Sequence, residues 1–189
     1  MDGKPAGGNL MKRLEALMAA FRAGKAQDLK RLGNISIERA VEGGDTNLAQ
    51  LSVISYALYK ILSKDHFVKS KKWEAIARSI NSSLAKAQGA LQKDKIPEFS
   101  QSIENTAKSI REIDDELSNY AQGIYSKARI KQASTAYASG LSLNRAAELT
   151  GADSRELQRY IGFTRIHDEL PPSVGISGRM KMLKGMLGK

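Results

Sequence analysis

The sequence predicts an all-α protein: an antiparallel helical bundle, a long connecting helix, and a carboxy-terminal head of short helices meeting at a glycine turn. Three observations carry that prediction. Apolar residues recur at steps of three and four in successive stretches, the spacing that lines one face of a helix. From Phe99 to Ile124 those steps alternate as a heptad seam of more than three repeats. Ser142, Gly151 and Asp153 then punctuate the chain as helix caps and stops do.

Residues 1–8 hold three glycines and a proline and are expected to be extended or without regular structure. Asn9 can cap a helix through Ala23, with Leu10, Leu14, Leu17, Met18 and Phe21 on one side and Gly24 closing it. Residues 25–44 read more weakly. A helical pattern passes through Leu29 and Leu32, breaks at Gly33 and Asn34, and resumes as a turn from Ile35 to Val41. Gly43 and Gly44 read as a hinge, so 1–44 is expected to be a flexible amino-terminal region with one amphipathic helix.

Residues 45–125 read as the bundle. Asp45 or Thr46 starts a helix with Leu48, Leu51, Ile54, Leu58, Ile61 and Leu62 at helical spacing. A link from Lys64 to Lys69, containing His66, leads to a helix from Ser70 to Gln92 with Trp73, Ile76, Ala77, Ile80, Leu84, Ala87 and Leu91 inward. Ile96 and Pro97 restart the chain, since proline is tolerated in a first helical turn. The seam follows: Phe99, Ile103, Thr106, Ile110, Ile113, Leu117, Tyr120 and Ile124. Short links make the helices antiparallel. Residues 45–95 carry nine Lys/Arg against four Asp/Glu and residues 96–125 two against six, so the acidic helix is expected beside the basic one. The seam can be satisfied within one chain or by a second copy, and a homodimer or a protein partner held by the bundle is the expectation.

After Ile124 the heptad slips. Lys127, Arg129 and Lys131 reverse the charge sign, while Ala128, Ala133 and Tyr137 open a different apolar face. The helix, or two nearly continuous ones, is expected to leave the bundle and run to Gly140 as the first helix of a unit spanning 126–170. Ser142 can cap a short helix with Leu143, Ala146, Ala147 and Thr150 on its apolar side, stopped by Gly151. Asp153 starts another, with Glu156 completing a capping-box-like pattern and Leu157, Tyr160 and Ile161 inward. Two short helices crossing at such a turn form a helix-turn-helix.

The spacing of Ala147, Gly151 and Leu157 resembles the helix-turn-helix of bacterial and archaeal repressors of the Cro type. There a small residue lets the helices approach, a glycine makes the turn, and a later apolar residue pins the recognition helix. Thr150 and Ala152 depart from the usual aliphatic residues. The wider runs, residues 145–151 and 160–169, are also similar to small archaeal helix-turn-helix and antitoxin-type proteins. The resemblance implies that Arg155, Gln158 and Arg159 face the major groove of duplex DNA. Ser154 and Arg165 are expected to bind nucleic acid with them. The segment 171–189 is expected to be a flexible basic tail. From Gly175 it has four basic residues, no acids and four glycines, and Arg179, Lys181 and Lys184 would meet phosphates.

Composition narrows the classes further. With 41% hydrophobic and 26% charged residues, the 189-residue chain has enough material for one or two folded domains. A formal charge of +10 favours polyanions through counterion release, whether DNA, RNA or an anionic membrane surface. There is no cysteine, so disulfides, thiolate metal sites and cysteine nucleophiles are excluded. No apolar run approaches the roughly 20 residues that span a bilayer, and the first residues lack a secretory apolar region. A soluble cytoplasmic protein is the expectation. His167, Asp168 and Glu169 are adjacent and do not converge on one helix face, and His66 stands far from them. No phosphate loop, dinucleotide fingerprint or nucleophile elbow occurs. The expectation is a non-enzymatic DNA-binding regulator with no cofactor or metal. An RNA- or ribosome-associated basic protein, or an antitoxin-like partner-binding protein, is the alternative.

Overall fold

The computed structural model describes residues 6–117 and 123–163, with side chains at 9–112 and 123–163. Over that span the chain is all-α: α1 (Ala6–Arg22), α2 (Ala26–Gly43), α3 (Thr46–Leu62), α4 (Asp65–Val68), α5 (Trp73–Gln92), α6 (Ile96–Leu117), α7 (Ile124–Ala138), α8 (Leu143–Thr150) and α9 (Ser154–Phe163). The bundle is built around α3. Every residue from Leu51 to Leu58 is buried, which a helix apolar on most sides requires. Its start is fixed by Asp45, whose carboxylate accepts from the backbone N–H groups of Asn47 (2.9 Å) and Leu48 (3.1 Å). Helices α1, α2, α6, α7 and α8 pack around it.

The weakly read region is one helix. α2 runs unbroken through Gly33 and Asn34, where a break was expected. Gly33 is buried, and a Cβ there would stand 3.2 Å from the Ser52 carbonyl oxygen and 3.5 Å from the Tyr56 nitrogen. The missing side chain lets α2 lie close against α3, and that packing overrides the roughly 1 kcal/mol by which glycine disfavours a helix. Nor do Gly43 and Gly44 form the expected hinge. Gly44 adopts φ +64° and returns its N–H to the Ala40 carbonyl, with Asp45 capping α3 immediately afterwards. The result is a capped corner between two antiparallel helices.

α1 begins at Ala6, ahead of Asn9, and buries Leu10, Leu14, Leu17, Met18 and Phe21 as the spacing predicts. The expected link after α3 contains α4, which buries Phe67. α5 turns its Ile76, Ile80, Leu84 and Ala87 inward, and α6 its Phe99, Ile103, Thr106 and Ile110. These four seam residues are satisfied within one chain, so they give no reason for a second copy. Ile113, Leu117 and Tyr120 lie outside the described side chains. The pairing of α5 with α6 is mainly apolar, with a hydroxyl contact between Ser79 and Ser109 (2.8 Å). The ion pairs Arg78–Glu74 (3.7 Å) and Arg111–Glu104 (2.5 Å) each stay within a single helix.

The connecting helix differs from the expectation. α6 ends at Leu117, and α7 starts afresh at Ile124 behind Gly123. It does not leave the bundle but packs on α3 and α2, with Ala128, Ala133 and Ala136 fully buried. Small residues on its inner side permit that approach. One apolar cluster runs from Leu10 in α1 to Leu157 in α9.

Candidate nucleic-acid interface

The carboxy-terminal helices are shaped by short-range signals. Ser142 accepts from the Arg145 N–H (3.3 Å) and opens α8. Ala146, Ala147, Leu149 and Thr150 are buried and Leu143 is half-buried, so Leu149 is a core residue that the spacing argument overlooked. The Thr150 hydroxyl donates to the Ala146 carbonyl (3.0 Å), which makes a polar side chain acceptable inside. Gly151 then takes φ +69°, a left-handed conformation that glycine adopts without strain. Asp153 accepts from the N–H groups of Arg155 (3.0 Å) and Glu156 (2.9 Å) and starts α9.

α9 is pinned by Leu157, which is fully buried, with Tyr160 and Ile161 half-buried beside it. Arg155, Gln158 and Arg159 are exposed, on the side opposite Leu157. Ser154, the first residue of the helix, is half-buried. The remaining candidates, Arg165, Arg179, Lys181 and Lys184, lie outside the described residues, as do His167, Asp168 and Glu169.

The turn is also buttressed from α7. The Arg129 guanidinium lies 4.6 Å from the centre of the Tyr125 ring, and a Cβ on Gly151 would meet it at 3.4 Å. Arg111 reaches the same ring at 5.2 Å. Tyr125 is thus a buried aromatic surface for two cations. Burial pushes its phenol pKa up, while Arg129 pulls the other way. A β-branched residue at 151 would need both a strained backbone and a displaced Arg129.

Sequence reasoning missed a second basic group, drawn from three helices. Lys30 of α2 stands 5.6 Å from the centre of the Tyr59 ring, and Lys60 of α3 stands 5.4 Å from it and 5.6 Å from that of Tyr56. Lys131 of α7 is half-buried; burial, then Lys30 and Lys60, push its pKa down. Tyr56 is pushed up to about 12 by burial, then by Tyr59 and by Tyr160 of α9. The local run of Tyr56, Tyr59 and Lys60 was a visible hint, but the convergence of Lys30 and Lys131 on it is tertiary.

Other features offer less chemistry. An open cleft of about 560 Å³ between α1 and α2 is lined by Ala16, Ala19, Ala23, Leu32 and Ile35, with Asp28 and Arg31 at its wall. Among the described residues no group of three or more His, Cys, Asp or Glu is placed to hold a metal ion. No described helix is long and apolar enough to cross a membrane. In comparisons with known proteins, no family model, no curated protein and no solved structure matches the chain.

Proposed function

We propose that this chain binds duplex DNA and reads its sequence through α9, acting as a transcriptional regulator. One observation supports the reading above the others. A short helix, capped by Asp153 and anchored by Leu157, offers Arg155, Gln158 and Arg159 to solvent beyond a left-handed glycine turn. In a helix-turn-helix those positions meet base edges in the major groove. Arginine pairs with guanine and glutamine with adenine, each through two hydrogen bonds. The chain's formal charge of +10 supplies the sequence-independent attraction that such reading needs.

The test is selection of binding sites from random duplexes, followed by titrations of Arg155→Ala and Arg159→Ala. Each is expected to lose about 1–3 kcal/mol on the selected site and to relax preference at one base pair. Lys181→Ala is expected to weaken all duplexes alike. Failure to enrich any sequence would reduce the chain to a general polyanion binder. Structured RNA outcompeting duplex DNA at fixed salt would move the assignment to an RNA-associated protein.

A further inference from the structure

We propose that Lys30, Lys60 and Lys131 form one phosphate-binding site that grips the backbone of the duplex beside the stretch read by α9. The inference rests on the DNA-binding reading and extends the contact surface to three helices of the bundle. Two cations share one ring: Lys30 and Lys60 stand 5.6 and 5.4 Å from the centre of Tyr59. The attraction of each ammonium to the ring face helps hold them together against their mutual repulsion. Lys131 comes from α7, which packs against both α2 and α3 and carries no acidic residue.

Among the described residues none of the three lysines has a carboxylate partner, although other surface cations do, such as Arg31 with Asp28 and Arg39 with Glu42. Three like charges gathered without a counterion destabilise a fold, and a polyanion relieves that repulsion. Phosphate suits the place. Each ammonium presents three donors as a compact point charge, and a phosphodiester offers oxygens that several ammoniums can share. The site adjoins the reading helix, since α9 packs against α7, the helix that carries Lys131. The depressed pKa of Lys131, caused by burial and by Lys30 and Lys60, agrees with this geometry.

The experiment measures the salt dependence of full-length chain binding to a duplex of random sequence, for Lys30→Gln, Lys60→Gln, Lys131→Gln and the triple variant. Each single variant should lower the slope of log affinity against log salt by about one unit, and the triple by about three. Lys131→Arg should keep the slope. Melting temperatures of the glutamine variants should hold or rise, because a repulsion has been removed. Slopes unchanged in all variants overturn the site. So do slopes that fall only in variants whose melting temperature falls, which would mean that the lysines serve the fold. Inorganic pyrophosphate competing as well as duplex at equal phosphate concentration would also overturn the backbone assignment, in favour of a small-anion site. A lysine-dependent slope without any selected sequence upholds this site while removing base reading by α9. Sequence selection with a lysine-independent slope does the reverse.

Discussion

Two helix pairs in this molecule are packed by opposite means. Between α5 and α6 the buried side chains are large, with Ile80 and Leu84 on one helix and Phe99, Ile103 and Ile110 on the other. Between α2 and α3 small and polar residues stand among the large ones: Gly33, Ser36 and Ala40 are buried on α2 beside Leu29 and Ile37, and Ala49, Ser52 and Ser55 on α3. The first pair is held by apolar area removed from water. The second gains from close approach of backbones, since a Cβ on Gly33 would stand only 3.2 Å from the Ser52 carbonyl oxygen, and it carries unpartnered polar groups inside. Gln132 of α7 is fully buried at this junction, and neither atom of its amide has a hydrogen-bond partner. The hydroxyls of Ser36 and Ser52 are likewise buried and unpartnered. One pair is robust through bulk and the other depends on fit.

The largest break should come in the bulky pair. Phe99→Ala is expected to lose about 3–5 kcal/mol, through lost burial and the cavity left behind. Urea denaturation of the two proteins measures it, and a loss below a third of that range would mean that the site collapses freely. Gly33→Leu breaks the close-fitting pair by the opposite fault, overpacking, and should lose about 1–3 kcal/mol. Wild-type stability in that variant would show that α2 stands further from α3 than the structure has it.

Sharpening the comparison calls for a gain. Gln132→Met keeps the approximate volume and removes an unpartnered amide, so it should raise stability by about 1 kcal/mol. A loss of stability would show that the amide is hydrogen-bonded in solution. The last effect appears only at alkaline pH, as a slope set by groups on α3 and α7. Tyr56 keeps its proton up to about 12, whereas an unfolded chain releases it near 10.0. Its contribution is therefore full below pH 10 and is lost as pH rises towards 12. Lys131 has the opposite sign: its depressed pKa makes the charge a penalty at lower pH, relieved as pH climbs to the ordinary 10.5. Absorbance of phenolate during an alkaline titration follows Tyr56, and ionisation of every tyrosine near pH 10 would remove this expectation.

The same contrast explains what could be read from the residues alone. Large apolar side chains have a period, so α3, α5 and the first half of α6 were legible from Leu51, Ile80, Phe99 and their neighbours. Packing through absent side chains has none. Gly33 reads as a break because its helix-weakening tendency is local, whereas the carbonyl of Ser52 that it accommodates is nineteen residues away. Ser142, Gly151 and Asp153 were legible because caps act within three residues. The exposed face of α9 followed from that local frame. Lys30, Lys60 and Lys131 were not legible as a group, since only the folding of α2, α3 and α7 together brings them to one place.

The surface ion pairs have one further consequence. Arg31–Asp28, Arg39–Glu42, Lys69–Asp65 and Arg145–Glu148 each lie within about one turn of a single helix and face solvent. Exposed pairs of this kind contribute little and weaken with screening. None of these four ties one helix to another. A concentrated electrolyte thus removes little that holds the bundle together, while it shields the self-repulsion of a chain with ten excess positive charges. The same electrolyte abolishes the entropy gain from releasing counterions of a bound polyanion. Brine should strip such a ligand from a protein that stays folded.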